Sequence, residues 1–101
     1  MNIMLACCAG MSTNLVVSKM EEAAKAQGKV YKIWAVDQTK IEAELGNFDV
    51  LLLGPQVRHM LRRVTKILDG QVPVDVIDSV SYGRCDGAAV LEQAEKLVNK
   101  K

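Results

Sequence analysis

Phe48-Asp49-Val50-Leu51-Leu52-Leu53-Gly54-Pro55 is a near-continuous apolar run closed by a turn pair. A strand packed on one face alternates apolar and polar residues, whereas a strand covered on both faces stays apolar throughout, as this run does. Such strands belong to parallel sheets with helices above and below. Downstream, Val57, Met60, Leu61, Val64, Ile67 and Leu68 form a helical stripe that Asp69-Gly70 ends. Residues 74–77, behind Pro73, read as a short strand. Upstream, residues 30–36 form a strand in which Lys32 and Trp34 share a face, so one side is less buried, as on a sheet edge. Residues 41–45 support only a short helix.

At the N-terminus, residues 2–6 read as a strand and residues 7–14 as a small-residue turn. A helix follows, with Leu15, Val16, Met20, Ala23 and Ala24 on one face and Lys19, Glu21, Glu22 and Lys25 on the other. Ser12, Thr13 or Asn14 would cap it, and Gly28 sits where it should end. Residues 78–87 read as a polar loop, and a last helix carries Val90, Leu91, Ala94, Leu97 and Val98. Strand–helix repeated four times predicts an α/β fold: a single three-layer α/β/α domain over residues 1–101, with four parallel strands and right-handed crossovers.

Composition narrows the function. Half of the 101 residues are hydrophobic, which excludes a disordered chain, and 4% aromatic content requires an aliphatic core. A formal net charge of +1 argues against a nucleic-acid binder. No apolar run approaches the ~20 residues of a membrane-spanning helix. Three cysteines, Cys7, Cys8 and Cys85, make an odd count with no CxxC pair, and the one histidine, His59, is remote from them. Neither a disulfide framework nor a zinc site is expected, and no metal or organic cofactor. Met4-Leu5-Ala6-Cys7 resembles a lipoprotein cleavage site only faintly, without a charged leader, so the expected compartment is the cytosol.

In open α/β sheets the ligand crevice lies at the carboxyl ends of the strands. Three segments meet there: 7–14, 54–56 and 78–87. The first places Cys7 at a strand end, then small residues, then a helix start. Small residues let backbone N–H groups converge on an anion, and the helix terminus adds partial positive charge. Such surroundings favour a reactive cysteine. One loop therefore supplies a nucleophile and a phosphate cradle. Cys8 reads as packing or loop lining and Cys85 as incidental. Gln56 and Tyr82 are candidates for crevice or partner contacts. His59 reads as surface or partner-facing, and Arg58, Arg62 and Arg63 form a basic patch suited to a solvated face or an acidic partner.

Competing motifs fail on specific residues. There is no Gly-Lys-Ser/Thr of a nucleotide P-loop, and only Gly10 of a G-x-G-x-x-G. Low-molecular-weight tyrosine phosphatases and arsenate reductases carry an arginine six residues after the cysteine, where this chain has Thr13. The bidentate grip on a phosphoester dianion is missing.

Cys7-Cys8-Ala9-Gly10-Met11-Ser12-Thr13 resembles the active-site loop of the enzyme IIB components of the bacterial phosphotransferase system, lactose/cellobiose/diacetylchitobiose family, whose signature is Cys-x-Ala-Gly-Met-Ser-Thr. Leu52-Leu53-Gly54-Pro55-Gln56-Val57, Val76-Ile77-Asp78, Tyr82-Gly83 and Asp86-Gly87 match its other segments, and the likeness runs the full length. Position 8 is usually Ser and is Cys here; position 14 is usually Ser and is Asn. The resemblance implies a fold like that of low-molecular-weight tyrosine phosphatase, with Cys7 as the phosphocysteine and Cys8, Ala9, Gly10, Met11, Ser12, Thr13 and Asn14 as its cradle. It implies a cytoplasmic, monomeric phosphotransferase. A IIA phosphohistidine would be the donor, and a β-linked disaccharide on the membrane IIC component the acceptor. Ser12 and Thr13 are left between capping the helix and binding the phosphate. A small cysteine-dependent phosphatase is the alternative enzyme, and a noncatalytic regulatory module the third reading.

Overall fold

The computed structural model describes residues 1–7 and 11–99. Four strands form one parallel sheet: β1 (Asn2–Cys7), β2 (Lys32–Asp37), β3 (Val50–Leu53) and β4 (Val74–Val76), in the order β2-β1-β3-β4. Helices α1 (Met11–Ala26), α2 (Leu61–Leu68), α3 (Ser79–Gly83) and α4 (Gly87–Asn99) complete the α/β fold.

Alternation along the two central strands sorts the core into two layers. Ile3, Leu5, Val50 and Leu52 point to one face, where α1 and α4 cover them with Val16, Met20, Val90, Leu91 and Ala94. Met4, Ala6, Leu51 and Leu53 point to the other, against Ile41, Phe48, Val57, Val64 and Leu68. Both faces of β3 are sealed, so all four of its residues are buried. β1 steps to β2 in one direction across the sheet with its helix on one face. β3 steps to β4 in the other direction with its helix on the opposite face. The two connections therefore share one hand, as the crossover rule requires.

β2 is an edge strand with intermediate or exposed positions, as Lys32 and Trp34 foretell, but it begins at Lys32; Val30 is 95% exposed outside it. The 41–45 helix proves to be two single 3-10 turns, Gln38–Lys40 and Glu42–Glu44, because Ile41 alone of this stretch is buried on the sheet. The 57–68 stripe is broken. Pro55–Met60 is 3-10, with Val57 at φ −117°, and regular α-helix starts at Leu61. The 78–87 loop contains α3, whose N-cap Asp78 accepts hydrogen bonds from the Ser81 N–H (3.0 Å) and hydroxyl (3.1 Å).

α1 turns differently from its expected phase. Its buried stripe runs Thr13, Val16, Val17, Met20, Ala24, while Leu15 is 51% exposed. At 100° per residue, Leu15 lies on the far side of the helix from that stripe. Ser12, Thr13 and Asn14 fall inside its first turn, past the N-cap position where they are expected. The expected stop at Gly28 holds: Gly28 (φ 72°) donates to the Lys25 carbonyl and Lys29 to that of Ala24, the paired bonds of a Schellman motif.

Candidate functional site

The β2-β1-β3-β4 order reverses direction between β1 and β3, the place where open α/β sheets form their ligand crevice. Cys7 is the last residue of β1, is 3% exposed, and lies in register with Asp37 of β2. Gly54 continues the ladder on the other side, donating its N–H to the Ala6 carbonyl at 2.8 Å. A Cβ built on Gly54 would lie 3.1 Å from Cys7 Cβ and 3.0 Å from Gln56 Oε1. The φ of −61° at Gly54 suits any residue, so glycine is needed there for space. The Cys7 side chain and the Gln56 amide therefore stand close together over Gly54, where an added Cβ would press on both.

The third wall comes from α3. Tyr82 is buried, and its hydroxyl lies 3.1 Å from Thr13 Oγ1. Gln56 Nε2 donates to the same Tyr82 oxygen at 3.4 Å. One phenol thus ties the first turn of α1 to the loop after β3. Thr13 is fully buried, so this bond gives its hydroxyl a partner in a place water does not reach. Of the two roles open to Thr13, capping is excluded by its place in the helix; it is a buried joint between α1 and α3. α3 itself is held from α4: Gln93 Nε2 donates to the Val76 carbonyl at 2.8 Å, and Asp78 N–H donates to Gln93 Oε1 at 3.1 Å. A single amide thereby satisfies the chain where it leaves the sheet.

The α3–α4 turn is tight. Cys85 adopts φ 51°, and Asp86 caps α4 by accepting from the Ala89 N–H at 3.1 Å. Gly87 is pressed on α1: a Cβ there would fall 2.2 Å from the Lys19 carbonyl carbon. Cys85 packs at the core margin on the α1–α4 face.

Hydrogen bonds also set the charges at the strand ends. The Thr39 N–H and hydroxyl hold the Asp37 carboxyl below the usual aspartate range, and the Ser81 N–H and hydroxyl do the same for Asp78.

Cys7, Thr13, Gln56 and Tyr82 are thus brought to one end of the sheet. Cys8, Ala9 and Gly10 lie outside the described residues, and Met11, Ser12 and Asn14 fall in the first turn of α1, with Asn14 exposed. His59, Arg58, Arg62 and Arg63 are exposed on and beside α2. Among the described residues no group of three or more His, Cys, Asp or Glu could hold a metal, and no helix is long and apolar enough to cross a membrane.

The family model described as "PTS system, Lactose/Cellobiose specific IIB subunit" matches residues 2–93. The chain is 41% identical, over 95% of its length and 94% of the relative's, to the oligo-beta-mannoside-specific EIIB component of Bacillus subtilis (strain 168). It is 48% identical, over 96% of its length and 95% of the relative's, to the cellobiose-specific EIIB component of Lactococcus lactis subsp. lactis (strain IL1403). The solution structure of the cellobiose-specific phosphotransferase IIB component from Borrelia burgdorferi superposes with a TM-score of 0.82 at 36% identity, covering 100% of this chain and 94% of that one. The lactose-specific IIB domain from Streptococcus pneumoniae, at 13% identity and TM-score 0.86 over 96% of each chain, shares the fold.

Proposed function

The chain belongs to the lactose/cellobiose-specific IIB family of the phosphotransferase system, a sugar-specific phosphotransferase component, and from that premise we propose that Cys7 is its phosphoryl carrier. The observation that carries this reading is the placing of Cys7 at the β1/β3 switch point, with Gly54 packed close against its Cβ.

The Cys7 sulfur, having given up its proton, attacks the phosphorus of a phosphohistidine on the IIA component. The P–N bond breaks, the imidazole leaves with the electron pair and takes up the proton the thiol gives up, and an S–P bond forms. On the membrane IIC component a sugar hydroxyl oxygen then attacks the same phosphorus. The S–P bond breaks, sulfur leaves as thiolate, and the hydroxyl proton passes to a base on the acceptor side. Both transfers need mainly positioning and charge stabilisation, because phosphoryl transition states are loose. The amides of residues 8–14 and the α1 terminus supply that stabilisation. Thr13 in place of arginine removes a bidentate clamp, so the phosphocysteine stays transferable. Gln56 and Tyr82 hold the two sides of the cradle in register. Exposed Leu15 and Val80, on helices that start at this end of the sheet, suit apolar contact with a partner.

The chain acts in the cytoplasm and meets the membrane through IIC. Relatives of comparable identity are named for oligo-beta-mannoside, galactose and cellobiose, which fits a sugar contacted mainly by the membrane component. The test is intact-mass spectrometry after incubation with phosphoenolpyruvate, the general phosphotransferase proteins and IIA. One phosphoryl adduct is expected, lost in Cys7→Ser and kept in Cys8→Ser. Aryl phosphate turnover without an adduct would favour a hydrolase.

A further inference from the structure

A groove of about 500 Å³ lies on the α2 face of the sheet, between the turns that follow β2 and the 55–68 segment. Its apolar part is made by Ile41, Met60 and Ile67; Gln38 and Glu42 form one wall, and Arg63 stands on the other. Both walls start at the strand ends that flank β1. Gln38 directly follows Asp37, the register partner of Cys7, and the 55–60 turn directly follows Gly54. The groove therefore opens beside the Cys7 site and runs away from it down one side.

Its cationic side is the 55–68 wall, while Glu42 sets a carboxylate on the other. Residues 55–68 hold Arg58, Arg62, Arg63 and Lys66 and no acidic residue, in a chain whose overall charge is only +1. All four are exposed, and none takes part in an ion pair among the described residues. Only Arg63 of these cations lines the groove. The other three sit outside it, where they would face whatever surface adjoins a docked segment.

We propose that this groove seats an acidic segment of the membrane component, with one large apolar side chain placed on Ile41, Met60 and Ile67 and its carboxylates turned to Arg63. The proposal rests on the carrier reading above. A membrane component brings the negative cytoplasmic leaflet close to whatever docks on it. The three outlying cations of the 55–68 segment are placed to meet that leaflet. The docked segment then grips one flank of the Cys7 site and leaves the α1–α3 flank, with Leu15 and Val80, to the donor.

Both half-reactions would be followed, with phosphorylated IIA as donor and with membrane vesicles containing IIC and sugar as acceptor. The variants are Arg62→Glu/Arg63→Glu, at exposed positions, and Ile67→Trp, which fills the groove and leaves the charge intact. Each is expected to raise KM for the vesicles by about tenfold or more with kcat unchanged. KM for IIA stays as in the wild type, and the charge variant loses salt dependence. Unchanged KM values overturn the proposal, as does an equal rise for IIA. A response confined to the charge variant, with wild-type protein binding empty anionic vesicles, also overturns it in favour of plain attraction to lipid. A wild-type chain that never takes a phosphoryl group sinks the carrier reading first, and the docking proposal with it.

Discussion

Gly83 and Gly87 are four residues apart, and alanine at the two positions is expected to act with opposite sign. At Gly87 the new Cβ would lie 2.2 Å from the Lys19 carbonyl carbon, 2.4 Å from the Met20 nitrogen and 2.5 Å from Lys19 Cβ. Carbon atoms rest ~3.5–4.0 Å apart, so α4 must retreat from α1 by more than about 1 Å. The blocking atoms are backbone and the root of a side chain, and no rotamer change relieves them. Overpacking of this kind costs about 1–3 kcal/mol, occasionally more. The retreat also loosens Val90, Leu91 and Ala94 from the core. Against this stands the helix preference of alanine over glycine, at most about 1 kcal/mol. The net loss is about 2 kcal/mol, which in a domain of this size lowers Tm by roughly 8–16 °C. At Gly83 nothing lies within 4 Å of the new Cβ, so Gly83→Ala should gain about 0.4–1 kcal/mol by restricting the unfolded chain. Urea unfolding followed by the fluorescence of Trp34, the sole tryptophan, measures both. Gly87→Ala within about 0.5 kcal/mol of wild type would refute the close helix approach. An equal loss at Gly83 would show that the segment, and not the contact, is sensitive.

Tyr82→Phe strands the buried Thr13 hydroxyl and should cost about 1–3 kcal/mol, and Thr13→Val combined with it should cost less than the two singles together; a double-mutant cycle by urea unfolding measures the coupling. Gly54→Ala pushes on Cys7 Cβ by a few tenths of an ångström, so it should leave stability nearly unchanged while slowing phosphorylation of Cys7 about tenfold, read by rapid-quench intact mass. The Glu95 carboxyl is held below its usual range chiefly by the Lys29 ammonium and also by the Tyr31 hydroxyl (2.8 Å). A carboxyl with a lowered folded-state pKa stabilises above its ordinary value of 4.5 and loses that contribution as pH falls below it. The Tm deficit of Glu95→Gln should therefore be full at pH 7 and shrink as pH falls below 4.5 through the lowered folded-state value.

The unbroken apolar run ending in Leu53 made β3 legible as a central strand, and the mixed Lys32-Ile33-Trp34 pattern made β2 legible as an edge. Strand order was not legible, since it depends on which strands exchange hydrogen bonds, and apolar pattern does not encode that. α3 escaped because five residues are too few to show helical periodicity. Its signal was Asp78 three residues before Ser81, a side-chain cap with little apolar stripe behind it. The phase of α1 was misjudged because Leu15 was given the core side for being apolar, whereas Thr13 is buried with its hydroxyl bonded to a tyrosine 69 residues away. The place of Cys7 at the end of β1 was legible from local spacing. The Thr13–Tyr82–Gln56 linkage was not, because it joins three strand ends that only the finished sheet brings together.

That linkage bears on the order in which the chain is made. β1 leaves the ribosome first, yet its second neighbour, β3, begins 43 residues after β1 ends. Tyr82 follows later still, and its segment is anchored by Gln93. A nascent chain with Cys7 already exposed therefore lacks the wall behind it and the tether on α1. Competence for transfer should arise only once the chain through Gln93 has emerged, with no half-built carrier to intercept a phosphoryl group on the way.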